Sequence, residues 1–255
     1  MARHVLRAQS MNRLILGLLA AGTLAAQTYV DLEGRYWFSD VNSRIRVERQ
    51  GLGTDIDGKK DLGFSRSAFP AGRAAVGWGH SRLSFEFTPI DFSGDQAITR
   101  TLMFNGRIYT FGTRVVSDLG VKHMQLGWTY HFYLLNRRIK LGPMVEAHGF
   151  LLSGTLSAPD VNVSSKEDLS VGLPTVGPSL ELSPHRFLDI YGEASGMWAG
   201  DYGQFIRSEA GVRFRPVRFL QLTAGYKTFN LRVAESDDFA RFQLRGPFVG
   251  GGIRW

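Results

Sequence analysis

Beyond Gln27 the chain alternates apolar and polar residues with a period of two, and this constrains its fold more than any other feature. Val30, Leu32, Gly34, Tyr36 and Phe38 alternate with Asp31, Glu33, Arg35 and Trp37. Leu83, Phe85 and Phe87 alternate with Arg82, Ser84, Glu86 and Thr88. Met124, Leu126, Trp128, Tyr130 and Phe132 alternate with His123, Gln125, Gly127, Thr129 and His131. Ile206, Ala210, Val212 and Phe214 alternate with Arg207, Glu209, Arg213 and Arg215. Successive side chains of a strand point to opposite faces, so each segment predicts a strand with one oily and one polar face. The 30 glycines and the 12% aromatic content suit twisted strands and tight turns. They weigh against a helical bundle, because Gly weakens helices. Cysteine is absent, which excludes a disulfide framework, thiolate metal sites and a cysteine nucleophile.

The first 26 residues have a different character. Arg13 precedes an apolar run from Leu14 to Leu19, broken only by Gly17, and the small residues around Ala20–Ala26 follow. A charged start, a short apolar core and a small-residue end are the parts of a secretory signal peptide. Residues 1–26 are therefore expected to be the leader and residues 27–255 a single domain, with Met11 an alternative start. Cleavage after Ala25 would place Thr23 and Ala25 at the small-residue positions, and cleavage after Ala26 would place Leu24 at one of them. Nothing later is continuously apolar for the roughly 20 residues a spanning helix needs. The net charge of +7 falls to +4 without Arg3, Arg7 and Arg13 of the leader. The remaining basic residues are spread singly, unlike the stripe of a nucleic-acid binder.

The punctuation between alternating segments gives the strand count. Short turns are expected near Gly79-His80-Ser81, Asn136-Arg137-Arg138, Pro184-His185-Arg186 and Pro216-Val217-Arg218. Connections are expected around 42–70, 91–116, 157–170, 201–203 and 231–238, and Asn105-Gly106 reads as the tip of a small extra hairpin. Nine connections make ten strands, the second being roughly Gly72 to Trp78. Short turns alternating with longer connections fit a closed antiparallel barrel that crosses a membrane, with both chain ends in the periplasm. Lipid offers no hydrogen bonds, so the sheet must close. Pro143, Pro174, Pro178 and Pro247 each remove a ladder donor and mark bulges or bends. Alternation alone does not say which face is outside, and a soluble ligand-carrying barrel would bury the oily one.

The chain end carries the family signal. Phe248-Val249-Gly250-Gly251-Gly252-Ile253-Arg254-Trp255 resembles the terminal strand by which bacterial outer-membrane proteins are recognised for assembly. Trp255 supplies the terminal aromatic and Ile253 the apolar residue two before it, whereas Phe248 and the three glycines are less typical. With the leader and the alternation, the mature chain is similar to the small outer-membrane barrels of the OmpA and OmpW type, without matching a characterised subfamily. The resemblance implies an outer-membrane location in a Gram-negative bacterium and contact with the assembly machinery. It also implies a structural or passive, porin-like transport role.

On this reading the charged residues line the lumen. The candidates are Glu33, Arg35, Arg73, Arg82, Glu86, His123, His131, Glu146, His148, Glu181, Glu193, Arg207, Glu209, Arg213, Arg215 and Lys227. Asp31, Asp189, Lys140 and Arg254 join them, giving eight acidic against nine basic groups. A barrel this narrow is filled by its own side chains, and paired charges offset one another's desolvation. A polar, charged lumen is expected, serving either a neutralised core or a conduit for small solutes.

Other clusters give weaker readings. His123, His131 and His148 with Glu146, Glu193 and Ser195 could form a hydrolytic set acting on lipid or peptide, which needs a base beside the hydroxyl. The paired-aspartate and Asp-His arrangement of the ten-stranded omptin proteases is not reproduced, nor are the motifs of barrel lipid A deacylases and acyltransferases. No catalytic residue is assigned. Asp55, Asp57 and Asp61 surround Gly58 but do not fit the twelve-residue EF-hand loop, so no metal or cofactor is expected. Arg44, Arg46, Arg49, Arg100, Arg107 and Arg114 fall in or near the first two outer excursions. Their forked donors suit the phosphates of lipopolysaccharide.

Overall fold

A computed structural model of the chain describes residues 28–49, 52–99, 101–104, 107–159, 163–200, 203–235 and 238–255. The expected leader lies outside these residues, as do Asn105-Gly106 and Arg100. Ten long strands run antiparallel: β1 (Tyr29–Arg49), β3 (Ser67–Trp78), β4 (Ser81–Ala97), β7 (Arg114–Tyr130), β9 (Ile139–Ala158), β10 (Val163–His185), β11 (Leu188–Trp198), β12 (Gly203–Val217), β13 (Leu220–Glu235) and β14 (Asp238–Arg254). Four short ones accompany them: β2 (Leu52–Asp57) on β1, the β5 (Leu102–Phe104) and β6 (Arg107–Tyr109) hairpin, and β8 (Phe132–Leu134) on β9. Each long strand pairs with its neighbour in sequence, and β14 closes the sheet on β1 from Asp31↔Arg254 to Arg46↔Phe239. Closure satisfies the backbone of both end strands, as hydrocarbon requires.

The oily face is outside. Tyr36, Phe85, Leu126, Trp128, Val145, Val212, Tyr226 and Val249 are all exposed, while Glu33, Arg35, Glu86, Gln125, Glu146 and Glu209 between them are buried. Exposed aromatic residues gather near the short-turn end, at Trp78, Phe132, Phe214, Phe219 and Trp255. Trp78 and Trp255, apolar rings with a polar N–H, suit the membrane–water boundary there, and the phenylalanines suit the adjoining hydrocarbon.

The interior differs from the expectation of a uniformly charged lumen. The inward face changes chemistry at one level on strand after strand. Glu33 and Arg35 give way to Trp37, Glu86 to Ile90 and Phe92, His148 to Phe150, Arg207 to Phe205 and Lys227 to Phe229. The half towards the long connections is thus a dry aromatic layer, in which Trp37 meets Phe229 with ring centroids 5.3 Å apart and Phe69 meets Phe92 at 5.1 Å. Ile56, Ile98, Val115, Leu156 and Ala158 form a further small core. Among the described residues, the buried arginines, lysine and glutamates lie in the other half.

Strand ends differ too. Pairing continues to Arg46↔Phe239 between β1 and β14, to Ala97↔Arg114 between β4 and β7 and to Ala158↔Val163 between β9 and β10. The expected connections at 42–70, 91–116 and 157–170 are therefore largely strand, and β3 begins at Ser67 rather than Gly72. There the outward face no longer meets lipid, although Val115, Leu156 and Ala158 still pack inward, so alternation fades while the backbone ladder persists.

Three Gly-Pro pairs shape the ladder. At Gly142-Pro143, Gly177-Pro178 and Gly246-Pro247, pairing lapses for two positions and resumes in unchanged register. A Cβ on Gly142, Gly177 or Gly246 would lie 1.6 to 1.8 Å from the carbonyl oxygen of Tyr130, Ala194 or Phe38 respectively. Glycine admits the neighbouring backbone, and the proline beside it has no N–H to leave unpaired. Pro174, by contrast, holds its ordinary register opposite Ala147, on a stretch of β10 that has no β11 partner.

Candidate functional site

The buried ionic cluster begins with β1, which alternates Glu33 and Arg35 inward between exposed Leu32 and Tyr36. The Arg35 guanidinium lies 2.9 Å from Glu33, 3.4 Å from Glu86 and 2.8 Å from Glu209. From β3, Arg73 reaches Glu193 and Glu209, each at 3.3 Å, and Arg82 of β4 reaches Glu193 at 3.4 Å. Arg207 of β12 is bound by Glu146 at 3.2 Å, Glu193 at 3.4 Å and Glu209 at 2.8 Å. Lys227 of β13 pairs with Glu86. The cluster holds five carboxylates (Glu33, Glu86, Glu146, Glu193, Glu209) and five cations (Arg35, Arg73, Arg82, Arg207, Lys227). Equal numbers in bridging geometry offset the desolvation that isolated charges would suffer. Tyr191 donates to Glu209 at 2.9 Å, Gln125 to Glu146 at 2.6 Å and Gln221 to Glu33 at 3.2 Å. Those three neutral donors have no charge pattern to mark them in sequence, though all lie on the inward phase of their strands.

A second, smaller group lies nearer the short-turn end. Glu181 takes Arg213 at 3.0 Å and Lys140, and Asp189 takes Arg215 with Arg213 at 3.9 Å. Arg254 lies 3.4 Å from Asp31, close in charge but without the alignment of a hydrogen bond. Every residue of the lumen-facing set is buried except Lys140, Arg215 and Arg254, which are half-buried towards the mouth.

The histidines divide. His123 and His148 meet Nε2 to Nδ1 at 3.1 Å and stack beneath Phe150. His131 sits between β7 and β8 and takes no part; its carbonyl is bound by His80 Nδ1 at 2.7 Å. Ser195 donates to Glu146, and the same carboxylate lies 3.4 Å from His148 Nε2. The hydroxyl is thus given to a carboxylate and not to an imidazole, and Ser195 is only 3% exposed. Glu146 stands at the Ser195 proton, but a nucleophile also needs an approach for substrate, and this hydroxyl is buried. Glu193 belongs to the arginine cluster instead.

Outside the membrane, Asp57 Oδ1 accepts the backbone N–H groups of Lys59 and Lys60, each at 3.0 Å, and Asp61 accepts that of Asp57 at 2.8 Å. These carboxylates hold a turn. The turn starts a segment that folds inward: Ser117 donates to the Leu62 carbonyl at 3.0 Å, and Phe64 packs on Phe92 with centroids 5.9 Å apart. Among the outer arginines, Arg44 is exposed and Arg114 donates twice to Asp95, at 2.8 and 2.6 Å. The side chains of Arg46, Arg49, Arg100 and Arg107, and of Asp55, lie outside the described residues.

An apolar exterior around a closed ladder and an ionic interior define a transmembrane β-barrel of the bacterial outer-membrane class. No protein-family model matches the chain, and no curated protein is similar to it in sequence. Among solved structures, the fold is similar to that of the outer membrane protease OmpT from Escherichia coli, with a TM-score of 0.57 at 9% identity over 89% of this chain and 96% of that one. The transport unit of the autotransporter AIDA-I from Escherichia coli matches with a TM-score of 0.42 at 10% identity, over 91% of this chain and 90% of that chain. The attachment invasion locus protein Ail of Yersinia pestis matches with a TM-score of 0.32 at 10% identity, over 90% of this chain and 99% of that chain.

Proposed function

We propose that this protein is a sealed, structural outer-membrane barrel whose working surface is its outer strand extension, and that it does not conduct solutes. The observation that carries this is the filled interior. Arg207 and His123 expose none of their surface and Glu86 only 2%, so solvent does not reach these side chains of the ionic layer, and the aromatic layer stacked on it is apolar and buried. A passive conduit needs a continuous polar path, and side chains fill a small barrel instead. Planar-bilayer recordings and liposome-swelling assays test the reading. We expect no unitary conductance and no uptake of small sugars or ions; reproducible conductance steps would overturn it.

The partners follow from the surface chemistry. We propose that the arginines of the outer excursions, of which Arg44 is exposed, meet the phosphates of lipopolysaccharide at the outer leaflet, and that Ile253 and Trp255 serve recognition by the assembly machinery. Both terminal residues are exposed, at 48% and 63%. A peptide-cleaving role, which the shared fold of an outer membrane protease brings to mind, has no accessible nucleophile–base pair in the lumen to support it.

A further inference from the structure

We propose that the short-turn mouth of the barrel binds a phosphate-ester anion. A cavity of about 960 Å³ opens there, between the β10–β11 turn, the β12–β13 turn and the end of β14. Its lining includes Arg186, Arg215, Arg218 and Arg254, against the single carboxylate of Asp189.

The charges at this mouth do not cancel as those of the central cluster do. Asp189 is already shared by Arg215 and, at 3.9 Å, by Arg213. Arg254 has Asp31, and Arg213 has Glu181. Arg186 lies over the Phe187 ring at 4.4 Å, and Arg218 makes no ion pair among the described residues. The Nε atoms of Arg213 and Arg215 are buried and have no hydrogen-bond acceptor. Among the described residues the mouth thus holds more guanidinium groups than carboxylates, in a concave site where Arg186 and Arg218 are exposed to an incoming ligand.

The donor type selects the ligand. Guanidinium groups present fixed forks, and a tetrahedral oxyanion with three or four oxygens can accept from several at once, where a carboxylate offers two. The rim supplies a second clue. Phe187, Val217 and Phe219 line the same cavity, and Phe219 is 63% exposed at the membrane boundary. Cationic floor and apolar rim suit a phosphate that is attached to an apolar body, such as a phospholipid headgroup, and equally admit a free phosphate ester from the periplasm.

The full chain, purified in dodecyl maltoside, distinguishes these sources. Inorganic phosphate and pyrophosphate are titrated calorimetrically against chloride at constant ionic strength. In parallel, native mass spectrometry follows retention of added phosphatidylglycerol. Saturable binding of the inorganic anions supports a free-phosphate site, and retention of phosphatidylglycerol alone supports a headgroup site. Arg186→Gln/Arg218→Gln, whose targets hold no carboxylate, is expected to weaken the binding about tenfold or more, as loss of charge-assisted hydrogen bonds implies. Arg186→Lys/Arg218→Lys, which keeps the charge and loses the forks, is expected to fall between the two. A heat-modifiable folded band in each variant shows that the barrel is intact. No saturable binding of either ligand, or equal binding by wild type and the glutamine variant, overturns the proposal.

Discussion

Arg207 is the residue on which the interior turns. It holds Glu146, Glu193 and Glu209 at 3.2, 3.4 and 2.8 Å with no surface exposed. Arg207→Met would fill similar space and leave those carboxylates short of a cation, so we expect a loss of roughly 3–5 kcal/mol in denaturant unfolding of the folded barrel. Outside the membrane the balance is gentler. The two hydrogen bonds from Arg114 hold the Asp95 carboxyl below the ordinary aspartate range. The pairing therefore persists at neutral pH and is lost only as pH falls through that lowered value. In a carbon-13 carboxyl titration, Arg114→Gln should move the Asp95 midpoint upward. An unchanged midpoint would show that the contact carries no electrostatic weight.

At the scale of the element, the Gly-Pro steps are the points where the sheet tolerates least. Gly246 receives the Trp37 indole N–H at its carbonyl, 3.1 Å away, while a Cβ there would sit 1.8 Å from the Phe38 carbonyl oxygen. Gly246→Ala must push β1 and β14 apart at their closing seam. We expect a cost of about 1–3 kcal/mol, the range of overpacked sites, read as a lower urea midpoint. Gly251→Ala is the control: its Cβ would meet nothing nearer than 3.8 Å, and it should be close to neutral. The alternation made the ten strands and their inward phase legible, because lipid on one side and packed charge on the other impose opposite demands on neighbouring residues. It did not reveal the outer ends of β4, β7, β9 and β10, where lipid no longer demands an apolar outward face even though Val115, Leu156 and Ala158 stay buried within.

For the whole molecule, the ordering of layers along the axis is what decides transport. The segment after β2 closes over the outer side, with Gly94 permitting the Leu62 carbonyl to approach. Replacing residues 58–66 by a Gly-Ser linker should leave the barrel silent in planar bilayers, because the aromatic and ionic layers beneath it remain. Conductance on that deletion alone would make the segment a gate and the interior a pore.

The amino-acid pattern by itself sorted each strand's residues into two faces, because successive side chains point opposite ways, and the turn residues gave the count. The charged residues of the inward set were legible for the same reason. That the oily face lies outside was decided by the tertiary structure, which buries the charged one, and which carboxylate meets which arginine came only from closure of the sheet. Glu33, Glu86, Glu146, Glu193 and Glu209 lie on five different strands, and curvature alone brings them into one cluster. The dry aromatic layer was equally hidden, because Trp37, Phe92, Phe150, Phe205 and Phe229 each look like a single irregularity until the barrel aligns them at one height.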